Sequence, residues 1–99
     1  MELQIQSVRF DADAKLLDFI EKKIVKLETF FDRIVSADVT LRVEADEEKK
    51  NKLVDIKLNV PGTVLVGSET ARTFEEAVDE AVDALRRQLI KHKERSRNN

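Results

Sequence analysis

One histidine, four serines and no cysteine, tyrosine or tryptophan are nearly all the reactive side chains these 99 residues offer. A nucleophile needs a neighbouring base and a third group to orient that base. Ser7, Ser36, Ser68 and Ser96 sit in no local motif of that kind. His92 stands between Lys91 and Lys93, with no ligand set nearby, and is expected as a solvated residue near a helix end. Asp46, Glu47 and Glu48 cluster, but without the alternating oxygen donors and glycine of a calcium loop, and Lys49, Lys50 and Lys52 follow at once. Phosphate-cradling loops need glycines, and only Gly62 and Gly67 exist. The expectation is a protein without catalytic residues, metal, cofactor or small-molecule substrate, and not an enzyme.

What remains is positive charge. Lys15, Lys22 and Lys26 fall within about 40° of one another on a helical wheel. Lys23 lies between this stripe and the apolar face, and Arg33 lies just beyond the helix. Asp18, Glu21 and Glu28 are assigned to the opposite flank. A second helix is divided lengthwise: Glu75, Glu76, Asp79, Glu80 and Asp83 come first, then Arg86, Arg87, Lys91, Lys93, Arg95 and Arg97 against Glu94 alone. Acids first and bases last suit any helix dipole. Six bases over twelve residues exceed what the last turn requires. Three readings stay open from the residues: a surface for a polyanion, a solvated and dipole-matched helix, or a protein interface. The formal net charge of −2 speaks against nucleic acid unless the charges are segregated, which this pattern provides.

These residues need elements to hold them. A chain of 99 residues is one domain. At 41% apolar it is too hydrophobic for disorder, and at 38% charged too polar for a membrane protein. Met1–Phe10 shows no basic stretch leading into an apolar run, so no signal peptide is expected, and no segment is apolar enough to span a membrane. Leu3 and Ile5 alternate with polar neighbours in a strand over about 2–9. Asp11 or Asp13 caps a helix over about 13–30, with Leu16, Leu17, Ile20, Ile24, Leu27 and Phe31 on one face. Alternation predicts strands over about 36–44, 54–60 and 63–68, with an exposed hairpin loop at Ala45–Lys52 and a type II turn at Pro61-Gly62. Thr73 and Glu76 form a capping box for the last helix, whose apolar stripe is Phe74, Ala77, Val78, Ala81, Val82, Leu85 and Leu89. The fold class is α+β, in the order β-α-β-β-β-α. Both helices pack on one face of a four-stranded sheet, like a double-stranded-RNA-binding module. Residues 1–94 are assigned to the domain and 95–99 to a short basic, polar tail.

Three segments carry a family likeness. They are Lys26-Leu27-Glu28-x-Phe30-Phe31-Asp32-Arg33-Ile34, Leu41-Arg42-Val43-Glu44, and Ala77-Val78-Asp79 through Leu85-x-Arg87-Gln88-Leu89-x-Lys91-His92-Lys93. With them the chain resembles, over almost its whole length, the ribosome hibernation-promoting factor and ribosome-associated inhibitor A family, in its short form. The resemblance implies a cytoplasmic stress or stationary-phase factor. It would bind the small ribosomal subunit, rRNA and ribosomal proteins together, in the mRNA and tRNA channel at the A and P sites. It would inhibit translation by occupancy. Carried over by position, Lys23, Lys26, Arg87, Lys91, His92 and Lys93 are rRNA-binding; periodicity and charge add Lys22, Arg33, Arg86, Arg95 and Arg97. Thr73-Phe74-Glu75 stands where the family often has Asp-Met-Tyr. The short tail favours promoting, or at least permitting, ribosome dimers. The free protein is expected as a monomer, with a dimer open. The alternative is a protein-interaction module or a binder of structured RNA other than the ribosome.

Overall fold

Alternating side chains make the sheet. The computed structural model describes residues 1–44 and 51–97, with side chains as far as Arg95. The strands are β1 (Glu2–Val8), β2 (Ser36–Val43), β3 (Lys52–Val60) and β4 (Thr63–Ala71), in the spatial order β1-β2-β3-β4. β1 and β2 run parallel, with Ile5 opposite Val39. The other neighbours are antiparallel, with Val39 opposite Ile56 and Leu58 opposite Leu65. A parallel pair requires a crossover, and helix α1 (Ala14–Val25) supplies it. The period of two turns Ala37, Val39, Leu41, Val54, Ile56 and Leu58 to one buried face.

Both helices lie over that face, as the alternation predicts. Asp13 is the N-cap of α1: its Oδ1 accepts the Leu16 amide at 2.8 Å, meeting one of the donors left orphaned at a helix start. Leu16, Ile20, Ile24, Leu27 and Phe31 are buried; Leu17, at the margin of the expected stripe, is 37% exposed. The helix predicted over 13–30 is α-helical only to Val25 and tightens into a 3-10 turn over Lys26–Thr29. That turn carries Phe30 and Phe31 toward the far end of helix α2 (Phe74–Arg97).

Helix α2 starts where Thr73 Oγ1 accepts the Glu76 amide at 3.1 Å, one half of the expected capping box. It is 24 residues long and continues to Arg97, through the segment read from sequence as a polar tail. β3 begins at Lys52, a residue assigned to the hairpin loop, and β4 continues to Ala71, beyond the expected Ser68. The remainder of that loop, 45–50, lies outside the described residues. Gly62 has φ +89°, the value a type II turn demands after Pro61. Arg9, just after β1, has φ +66°. A side chain in this left-handed region costs about 1–2 kcal/mol.

Helix α2 approaches the sheet most closely at Gly67 on β4. A β-carbon there would lie 2.9 Å from the Ala81 carbonyl oxygen and 3.0 Å from Leu85 Cγ. Beside this contact, Gln88 donates its side-chain amide to the Val66 carbonyl at 2.9 Å, on the open edge of β4. Because the obstruction at Gly67 includes helix backbone, Gly67→Ala is expected to cost about 1–3 kcal/mol. Urea unfolding followed by circular dichroism would report it as a lower midpoint with an unchanged slope; a neutral result would mean that α2 shifts without strain.

Candidate nucleic-acid interface

The 3-10 turn places the end of α1 against the middle and far half of α2. Lys23 and Lys26 come from α1 and the turn, Arg86 from α2; they border a groove of about 240 Å³ floored by Leu27, Phe30 and Val82. The Arg86 guanidinium lies 5.9 Å from the Phe30 ring centre, and Lys23 Nζ lies 5.4 Å from that of Phe19. One turn further along, Arg33 and Lys93 border a second hollow of about 330 Å³ with Glu28, Phe30, Phe31 and Asp32. Phe31 is its buried wall, with Arg33 at 5.5 Å over the ring and His92 edge-on at 5.2 Å. Cations over aromatic faces gain roughly 0.5–1 kcal/mol at exposed sites and hold their orientation.

Lys23, Lys26, Arg33, Arg86, His92 and Lys93 thus gather along one seam between the turn and α2. Arg87, Lys91 and Arg95 are exposed and recur every four residues, so they form a separate stripe on the outer side of α2. Lys22 is exposed on the flank of α1.

The charges are less segregated than the sequence reading has it. Asp18, assigned to the acidic flank, pairs with Lys22 at 2.9 Å because residues four apart are neighbours on a helix. That hydrogen bond, and the charge behind it, raise the Lys22 ammonium above its ordinary value. Asp79 reaches across the helix seam to Lys23 at 2.9 Å. Asp83 binds Arg86 at 2.9 Å and also pairs with Arg87. The Arg86 hydrogen bond, with the charges of both arginines, holds the Asp83 carboxyl below the ordinary carboxylate range. Its pairs therefore persist at neutral pH and are lost only as pH falls through that depressed value. Exposed pairs of this kind contribute little to stability, so a phosphate can replace the carboxylate.

His92 is also not the solvated residue expected from sequence: it is half-buried against Phe31. The Asp83 and Asp18 pairs were legible as three- and four-residue spacings. The Lys23–Asp79 pair depends on how the two helices dock. Among the described residues, no group of three or more His, Asp or Glu side chains could hold a metal ion, and no helix is long and apolar enough to cross a membrane.

The comparisons with known proteins agree with the sequence resemblance. Residues 3–97 match the family described as Sigma 54 modulation protein / S30EA ribosomal protein. The ribosome hibernation promoting factor of Azotobacter vinelandii is 37% identical over 95 residues, covering 96% of this chain and 85% of the relative. That of Escherichia coli K12 is 35% identical over 95 residues, with 96% of both chains covered. The ribosome hibernation promotion factor of Deinococcus radiodurans is 33% identical over 94 residues, which are 93% of this chain but 49% of the relative. Two solved structures share the fold at 24% identity. One is a ribosomal subunit interface protein from Coxiella burnetii, with a TM-score of 0.84 and coverage of 94% of this chain and 98% of that one. The other is the N-terminal domain of Thermus thermophilus Protein Y, with a TM-score of 0.79 and coverage of 93% and 99%. On the full-length match and the 30–37% identities, the chain belongs to the Sigma 54 modulation protein / S30EA ribosomal protein family, among the ribosome hibernation promoting factors.

Proposed function

We propose that the protein is a non-catalytic ribosome hibernation factor, acting in the cytoplasm, that binds the small ribosomal subunit in the mRNA and tRNA channel. Family membership supports the ribosome-associated hibernation role. The observation that carries the binding mode is the seam itself, where cations from the turn after α1 and from the far half of α2 lie together over Phe30 and Phe31. Lys22, Lys23, Lys26, Arg33, Arg86, Arg87, Lys91, His92, Lys93 and Arg95 are the proposed rRNA contacts. Lysine and arginine neutralise phosphates and release counterions, so affinity falls steeply with salt. The aromatic rings near the seam support cations, and two of them are already engaged by Arg86 and Arg33. Recognition by backbone and shape therefore fits better than stacking on unpaired bases. Occupying the channel at the A and P sites would exclude message and tRNA, and the same position is compatible with the proposed promotion of ribosome dimers. No chemical step is needed.

The test is co-sedimentation with purified small subunits over a range of salt. Arg87→Glu combined with Lys91→Glu is expected to abolish pelleting near 0.15 M salt, taken as about physiological ionic strength, while the far-UV circular dichroism stays native. Retained pelleting would remove these two residues from the interface. Asp83→Asn frees Arg86 and Arg87 and removes a charge that repels phosphate. It is expected to tighten binding by up to about fivefold, the worth of one exposed pair. Weaker binding would show instead that Asp83 is needed to orient the arginines.

A further inference from the structure

Arg9 and Arg42 lie apart from this seam. Arg42 is near the end of β2, on the sheet face turned away from the helices. The parallel register sets it beside Val8, and Arg9 follows directly in the chain. With Val8, Val43 and Glu44, the two arginines line a hollow of about 180 Å³. Both are exposed, and neither takes part in an ion pair or side-chain hydrogen bond among the described residues. β1 starts beside Val35, just after the 3-10 turn, and seven residues at about 3.3 Å each place this hollow roughly 23 Å away, at the other end of the sheet.

The backbone at Arg9 sharpens the case. Its φ of +66° belongs to a region that glycine, asparagine and aspartate enter most readily. Arginine is a poor choice for the turn; what it adds is a second cation lining the hollow that Arg42 lines, so that two positive charges there outnumber the Glu44 carboxylate. Guanidinium forks match phosphate oxygens through paired hydrogen bonds. We propose that Arg9 and Arg42 form a second phosphate clamp, gripping an RNA backbone on the face opposite the helices. This rests on the ribosome reading above: a protein that fills a channel meets its walls on more than one side.

The strained turn makes the test discriminating, because Arg9→Asn removes the charge and relaxes the backbone together. In the full chain, Arg9→Asn is expected to melt at the wild-type temperature or a few degrees higher. Arg9→Asn and Arg42→Gln should each weaken binding to purified small subunits by about fivefold near 0.15 M salt. Each should also lower the slope of log affinity against log salt by about 0.7–0.9, as loss of one phosphate contact does. Unchanged affinity and slope in both variants, with Arg87→Glu/Lys91→Glu still released, would overturn the clamp and leave the helical interface standing. Weaker binding at an unchanged slope would indicate a protein contact and overturn it too. If instead the helical double variant still pellets while the arginine variants lose slope, the clamp stands and Arg87 and Lys91 leave the interface.

Discussion

The placement of every basic side chain on α2 depends on one close contact, the helix backbone over Gly67. Without a β-carbon on β4, the Ala81 carbonyl and Leu85 can sit directly on the strand. Ala77, Val78 and Ala81 continue that low relief along the buried side of the helix. The axis of α2 is therefore set by its first half, where the core holds it. At about 1.5 Å per residue the 24-residue helix is roughly 36 Å long, longer than β4 with nine residues at about 3.4 Å. The excess is about one turn of helix, where exposed charge costs little in desolvation. The 3-10 turn after α1 brings Phe31 against His92 and gives this end of the helix lateral support.

A seam with cations on both sides would repel itself in the free protein. Asp79 and Asp83 relieve that strain by standing between Lys23, Arg86 and Arg87. The acidic first half of α2 thus has two roles. It matches the positive end of the helix dipole, and Asp79 and Asp83 hold the neighbouring cations in place. A net charge of −2 is consistent with this arrangement. The total reports on solubility and distant attraction, while recognition depends on which charges share a surface.

Elements with a strong period were legible in the residues. The alternation in β2 and β3, the stripe of α2 and the turn at Pro61-Gly62 all follow from local rules, while the cap, open between Asp11 and Asp13 in the sequence, is Asp13. The end of α1 was not, because the apolar positions Leu27 and Phe31 keep helical spacing through a segment that winds more tightly. The length of α2 was missed because a helix that leaves the sheet no longer needs an apolar stripe. Of the candidate interface, the cations were visible as types and spacings. Their partners across the seam were not: Lys23 meets Asp79, and His92 meets Phe31, only once the crossover has brought the turn beside α2. The conformation of Arg9 was equally hidden, since nothing in its residue type announces a positive φ.

The hydrogen bond from Gln88 to the Val66 carbonyl has a consequence for how copies of this protein share a cell. β4 is an edge strand with Val64 and Val66 exposed on it, the kind of surface that recruits a strand from another chain. The helix extends one amide across that edge and occupies an acceptor that an incoming strand would need. An intruder must first displace Gln88, which stays anchored by its own helix. The chain is thereby guarded against pairing sheet to sheet by the same helix that carries its cations.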